Sequence, residues 1–497
     1  MELLSIMETG NNQMLTTAIT INGSKVFFIE PTIKLTKSPN AHDTIELLGK
    51  IKYSDYEEAI KDLNVNSKIQ IEYGMEGKEL PVFNGLITSA DVLSTPEEYH
   101  PLYDIRIVGM SYSCLLDRER KVRIYQDTEV LYKQIIENIL SAYPDSNFLM
   151  SPELREIKLD SFTIQYNETD WEFLKRLASR TGRPVIASSK TQGVKIKYGM
   201  IWGDTSYTLG SRSLYNMREI RDIAPYKPQA FLEKRQNQYK LEIFTEGPDA
   251  QSLEIGECIT IQNQAWYVKE VEAVIKNHVL SHKYLLSDQR GFFETRQSNF
   301  QVKGLSLPGT IADVRNNMVK VLFQADTYPG NNHCWFPYST FYSTFYCMPE
   351  KGDGINFYIP DYEESHGIVL NSVHQVPDMQ AGKNSGKKQN FPTQELFINN
   401  QVKILATRDK KMLILDDQTG KVSLVCGDGS YVTIMGNEIF INTTQEINIH
   451  ADGKLSLSAG ESIDLSADTE LKLSCKGSSI ALSEASIDID ASDIKMN

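Results

Sequence analysis

The sequence predicts a mainly β chain with a small helical part, ending in a triangular β-helix that three copies build together. Three observations point there: period-2 alternation through most of residues 1–375, two short stretches of helical period inside it, and an eight-residue repeat in the last hundred residues. A strand returns to the same face every second residue and a helix every 3.6, so the two patterns separate on inspection.

Thr17-Ala-Ile-Thr-Ile-Asn-Gly and Lys68-Ile-Gln-Ile-Glu-Tyr alternate and are interrupted by Asn and Gly, which reads as strands and turns. Residues 128–142 carry Val130, Leu131, Ile135, Ile139 and Leu140 at helical spacing, with Pro144 as the stop. A second helix is expected over 169–179. There Thr169-Asp-Trp-Glu172 fits a capping box, the hydroxyl accepting from the amide three residues on while Glu172 reaches back. Trp171, Leu174 and Leu177 form its apolar stripe. Alternation returns in Leu241-Glu-Ile-Phe, Cys258-Ile-Thr-Ile and Trp266-Tyr-Val-Lys-Glu-Val, and a further β-rich block spans 302–375. Residues 376–396 are a polar linker rich in Gly, Lys, Asn and Gln.

The tail, residues 397–497, is a repeat. Ile439/Ile441, Ile447/Ile449, Leu455/Leu457, Ile463/Leu465 and Leu471/Leu473 recur every 8 residues, and a small residue sits two places after each pair: Thr443, Ala451, Ala459, Ala467, Cys475. Val422/Leu424, Val432/Ile434 and Ile487/Ile489 have the same form, followed by Cys426, Gly436 and Ala491. The pattern slips at Ile480/Leu482/Glu484, where spacings of 9 and then 7 predict a bulge or a change of register. Each repeat is a short strand with one apolar face. Eight residues per turn cannot enclose a core alone, but three chains can, each forming one side of a prism. The small residue then fits where the sides converge and a large one would overpack. A homotrimer is the expectation.

Composition narrows the function. With 51 Lys+Arg against 65 Asp+Glu the net charge is −14, which disfavours phosphate neutralisation and hence nucleic acid as a partner. From Glu438 onward 11 acidic residues face 4 lysines, a net of −7 in 60 residues. The six cysteines (Cys114, Cys258, Cys334, Cys347, Cys426, Cys475) are scattered singly, forming neither a disulfide framework nor a zinc ribbon. The first ten residues lack the basic and apolar regions of an export signal, so assembly in the cytoplasm is expected. No cofactor and no metal are expected. His278 and His282 lie four apart within an alternating stretch, and His333-Cys334 sits beside Trp335; both are read as ordinary strand or loop residues. The run Ser339-Thr-Phe-Tyr-Ser-Thr-Phe-Tyr346 is read as packing in preference to a sugar platform, and Asp464, Asp488 and Asp490 as a solvated face.

Several stretches together resemble the VgrG-like spike proteins of contractile injection systems, the type VI secretion spike and the hub-plus-spike of contractile phage tails. Phe162-Thr-Ile-Gln-Tyr-Asn-Glu-Thr-Asp-Trp-Glu-Phe-Leu-Lys-Arg-Leu-Ala is similar to a signature of that family, through Gln165, Tyr166, Glu168, Asp170, Phe173, Arg176 and Leu177. Upstream, Leu115-Leu-Asp-Arg and Arg123-Ile-Tyr-Gln are similar to the family's strand leading into the first helix. Met348-Pro-Glu-Lys-Gly-Asp-Gly-Ile-Asn-Phe-Tyr-Ile resembles the spike's OB-fold through Pro349, Gly352 and Asp353, with Gly354 where the family has an acidic residue. Leu413-Ile-Leu-Asp-Asp-Gln-Thr-Gly-Lys-Val-Ser-Leu resembles the hairpin that opens the needle. The resemblance implies a first hub β-barrel in 1–125, a helical hub segment in 126–185, a second hub β-barrel region in 186–301, an OB-fold collar in 302–375 and a triangular β-helix needle in 397–497. It further implies a spike that joins the tail tube and baseplate to a membrane-puncturing tip, touches the target membrane transiently and delivers effector cargo.

No enzyme is expected. The linker is too short for an inserted domain, and Gly-x-Ser-x-Gly, His-Glu-x-x-His and Walker patterns do not occur. The repeat rhythm continues to Ile494, Lys495, Met496 and Asn497, where a PAAR-like tip protein is expected to dock in place of a fused effector. The rival reading is a trimeric receptor-binding or polysaccharide-degrading tailspike, which would need a long single-chain solenoid with a groove of carboxylates.

Overall fold

The computed structural model describes residues 15–94, 102–203, 206–208, 218–222, 238–246, 252–261, 263–327, 333–340, 347–372, 401–407, 411–427 and 429–495. The chain divides into two compact units, Met1–Val376 and Pro377–Asn497. It is mainly β, with three α-helices among the described residues: α1 (Tyr53–Ala59), α2 (Tyr132–Leu140) and α3 (Asp170–Ser179). No helix among them is long and apolar enough to cross a membrane.

In the first unit the alternating stretches become strands with one dry face. Ile19 and Ile21 of Leu15–Ile21, Ile33 and Leu35 of Ile29–Lys37, Ile45 and Leu47 of Thr44–Lys52, and Ile105 and Ile107 of Leu102–Ser111 share one core. Register brings the apolar positions opposite one another, Ile33 against Leu47 and Leu47 against Ile107. The second β block does not stand apart. Strand Gln264–Lys276 pairs with Ile29–Lys37 from Val271–Lys37 to Lys276–Thr32, so both blocks belong to one 13-stranded sheet. Ile259, Trp266, Val268, Val271, Tyr284 and Leu286 pack its far half.

Between the blocks lies the helical segment. α2 begins at Tyr132, four residues later than its apolar spacing predicts. The Asp127 carboxylate accepts from the Glu129 amide (2.9 Å) in a turn, and the bridge of Leu131 to Lys158 holds residues 130–132 against 157–159. Ile135, Ile136 and Ile139 of α2 pack with Trp171, Phe173, Leu174 and Leu177 of α3. The 302–375 block is a five-stranded sheet, with Ser306–Arg315 central, whose two ends meet through a Tyr338–Val369 bridge. Phe162 completes its core, edge-on to Phe336 and Phe357 at 5.2 Å each. Residues 341–346 of the aromatic run lie outside the described residues.

The second unit opens with a five-stranded antiparallel meander: Val402–Ala406, Met412–Asp416, Lys421–Val425, Tyr431–Met435 and Glu438–Asn442. A three-stranded antiparallel sheet, Glu470–Cys475, Ser478–Ser483 and Ile487–Asp490, closes it. Residues 443–469 between them carry no strand and make no backbone–backbone hydrogen bond with any described residue. The slip expected near Ile480 is a full reversal of direction. The chain turns at Lys476, whose φ is 44°, and pairs Leu473 with Ile480 and Leu471 with Leu482.

Candidate functional site

Strand Thr163–Thr169 and helix α3 meet at Thr169, whose preference for the N-cap places the signature residues around one polar knot. The Thr169 hydroxyl accepts from the Glu172 amide (3.1 Å), and the Glu172 carboxylate accepts from the Thr169 amide (2.9 Å), so the capping box is closed. Asp170, fully buried, accepts from Lys121 (2.7 Å), Arg123 (2.5 Å), the Tyr143 hydroxyl (2.6 Å) and the Gln165 amide (3.0 Å). Gln165 in turn accepts from Arg123 (2.7 Å) and donates to the Glu168 carbonyl (3.1 Å). Burial works to raise the Asp170 carboxyl, but these donors outweigh it and hold it below the usual carboxylate range.

A second knot faces the five-stranded block. Arg176, 3% exposed, donates from Nε and Nη2 to both oxygens of Glu168 (2.7 and 2.8 Å), from Nη2 to the Ile164 carbonyl (2.7 Å), and from Nη1 to Glu364 (2.8 Å). The other Glu364 oxygen accepts from Arg180 at 2.5 Å. Burial leaves the Glu168 carboxyl raised even though Arg176 pulls it down. Arg176 also lies 5.3 Å over the Phe173 ring. Gln165, Glu168, Asp170, Phe173, Arg176 and Leu177 are all buried, and Tyr166 half-buried. The arrangement fastens one block to another.

Other constellations are equally closed. Ser113, His42 and Asp117 follow one another at 2.8 and 3.3 Å in triad order, but Ser113 is fully buried and the imidazole lies 4.6 Å from the Trp171 ring. His278 sits in a hairpin turn with φ 57°, away from buried His282. His333 approaches the Gln126 amide (3.0 Å), and the Cys334 thiol, pushed up to about 11 by burial, donates to the Gln126 carbonyl. Among the described residues no three His, Cys, Asp or Glu side chains gather as metal ligands. At the OB signature, Gly352 takes a φ of 97° while the Asp353 carboxylate accepts from the Glu350 amide (2.8 Å), closing a tight turn after Pro349.

The residues expected in a needle lie on two largely exposed sheet faces and the stretch between them. Cross-strand register aligns Leu405, Leu413, Leu424, Val432 and Ile441 in one row, and Lys403, Leu415, Val422, Ile434 and Ile439 in the next, on one face of the meander. Leu471, Leu473, Ile480, Leu482, Ile487 and Ile489 do the same in the closing sheet. Between the sheets stand Ile447, Ile449, Leu455, Leu457, Ile463 and Leu465, exposed by 52 to 70%. Of the sixteen residues expected at a trimer core only Leu471 is half-buried; the others are exposed. Ile494 is exposed as well, while Met496 and Asn497 lie outside the described residues.

Comparison with known proteins bears directly on this architecture. Residues 57–195 match the family described as the phage tail baseplate hub. That stretch is similar to a baseplate hub. Among solved structures, the Francisella PdpA–VgrG complex is similar in its lidded form over 86% of this chain and 80% of that one, with a TM-score of 0.55 at 10% identity. In its half-lidded form it covers 87% and 89%, with a TM-score of 0.53 at 11% identity. The Escherichia coli c3393 protein, titled a type VI secretion component with structural similarity to the T4 tail proteins gp27 and gp5, covers 71% and 98% with a TM-score of 0.49 at 16% identity. No curated protein matches. The fold is VgrG-like.

Within this unit the signature is a fastening, which explains why it is polar yet buried. The sequence signature includes Gln165, Glu168, Asp170 and Arg176 of these knots but not Glu364, which lies 188 positions from Arg176 and carries no local mark. Lys121, Arg123, Tyr143 and Arg180 were also missed as members of the knots. Leu405, Leu413 and Leu415 of the meander's apolar face were missed too, although the same period-2 alternation runs through them.

Proposed function

We propose that this chain is the central hub-and-spike subunit of a contractile injection device and works, without enzymatic activity, as a homotrimer. One observation carries the reading: three octads at 443–469 whose apolar side chains stand exposed and whose backbone groups make no backbone–backbone hydrogen bond with any described residue. Extended backbone needs its N–H and C=O groups satisfied, and each exposed Ile or Leu forgoes roughly 1.5–3 kcal/mol of burial. Two further copies, offering the same edge and the same face, supply both. The hub segment joins the trimer to the tail tube and baseplate, and effector cargo rides with the particle, as a VgrG is found together with PdpA in the Francisella complex. A PAAR-like tip protein docks on Ile494 to Asn497 and meets the target membrane transiently. The subunit is assembled in the cytoplasm and leaves it within the particle.

Sedimentation equilibrium of the full chain tests the reading. A mass of three 56.3 kDa chains is expected. Leu457→Asp, which sets a carboxylate on the apolar face, is expected to shift the mass to the monomer. A wild-type monomer at micromolar concentration overturns the proposal.

A further inference from the structure

The octads solve the problem of enclosing a core but create one of alignment. If one chain slides by eight residues, Ile447/Ile449 meet Leu455/Leu457, Leu455/Leu457 meet Ile463/Leu465, and Ala451 meets Ala459. Every contact is replaced by a near-equivalent one, so the repeat alone cannot define its register. The closing sheet is different. Its apolar residues stand at Leu471/Leu473, Ile480/Leu482 and Ile487/Ile489, spaced 9 and then 7 apart, because the chain reverses at Lys476 instead of continuing. Under the same slide Ile480/Leu482 meet Lys472/Ser474, and Ile487/Ile489 meet Ser479/Ala481.

We propose that the antiparallel sheet of residues 470–490 is a register clamp: its apolar face docks on the same face of two further copies and makes the in-register alignment of the octads unique. The occupant is a second and third copy of this chain, because the face continues the apolar pattern of the octads that precede it. The proposal rests on the trimer reading above and deepens it. The opening meander acts likewise at the other end, where Val422, Val432 and Ile439 are spaced 10 and 7 apart. Two clamps bracket a segment that would otherwise slide, and the number of octads between them must then be equal in all three chains.

The test is to co-express the full chain with a differently tagged chain lacking residues 455–462, one whole octad, and to count mixed trimers after tandem affinity purification. With clamps at both ends the mixed species is expected to fall about tenfold or more below that formed by two full-length chains with different tags. Mixing as free as between full-length chains overturns the clamp. Changing Ile480, Leu482, Ile487 and Ile489 to Ser in both chains is expected to restore mixing, and continued exclusion there also counts against it. If the shortened chain does not fold, the reciprocal chain with 455–462 duplicated gives the same readout. Failure of the full chain to trimerise by sedimentation sinks the underlying trimer reading; trimers that mix freely sink only the clamp.

Discussion

Replacing Glu364 by Gln tests whether the five-stranded block around Ser306–Arg315 is fastened to α3 by charge. Glu364 is 3% exposed, and its two oxygens accept from Arg176 at 2.8 Å and Arg180 at 2.5 Å. The amide keeps the shape but leaves two guanidiniums facing a neutral group, with side-chain exposures of 4% and 8%. Breaking a buried pair of this kind costs about 3–5 kcal/mol. The lower end applies here, because Arg176 keeps both oxygens of Glu168. At roughly 2 °C per kcal/mol for a large unit, the midpoint should fall by about 6 °C. Differential scanning calorimetry of the full chain reads this directly, and the same change in an Arg180→Met background should cost about 1 kcal/mol less, since one orphaned charge is already gone. A shift of Glu364→Gln within about 1 °C of wild type, or strict additivity with Arg180→Met, would refute the fastening.

Three further expectations follow from the same geometry. Burial raises the Asp43 carboxyl to about 6 and lowers the His282 imidazole to about 4, so acidification from pH 6 to 4 stabilises through Asp43 and destabilises through His282. The two nearly cancel, and Asp43→Asn should expose a loss of about 3 kcal/mol relative to wild type over that window, read as urea midpoints at both pH values. Thr169→Ala opens the capping box and removes the hydroxyl bonded to Asp117, for about 1 kcal/mol or somewhat more, while Thr169→Ser keeps most of it in the same urea assay. Gly352→Ala meets no neighbouring atom but must hold a φ of 97°, so a loss of about 1–2 kcal/mol is expected from backbone strain alone, and a neutral thermal shift would show that the turn relaxes.

Local patterns in this chain were legible where a short stretch determines its own conformation. The Thr169 box formed where hydroxyl and carboxylate spacing placed it, and the strands of Leu15–Ile21 and Lys68–Met75 followed their alternation. The start of α2 was misplaced because residues 130–132 are captured by 157–159, a partner that the spacing of Val130 and Leu131 does not reveal. The slip at Ile480 was visible as a change of spacing, but a bulge and a reversal leave the same trace in one sequence; Lys476-Gly477 decides for the turn. What stayed hidden was contact across distance. Neither Glu364 in the Arg176 knot nor the seam between residues 32–37 and 271–276 leaves a mark in its own neighbourhood.

That seam also sets a timetable for synthesis. Strand Ile29–Lys37 is completed by Thr44–Lys52 on one side almost at once, but its other edge waits for Gln264–Lys276, roughly 230 residues later. At roughly 5–20 residues per second the ribosome leaves that edge open for about 10 to 45 s. An unpaired strand carrying Ile33 and Leu35 is a template for any neighbouring nascent chain. Copies made on one message run this exposure side by side, so the yield of folded chain should depend on chaperone occupancy during translation more than on the final stability of the fold.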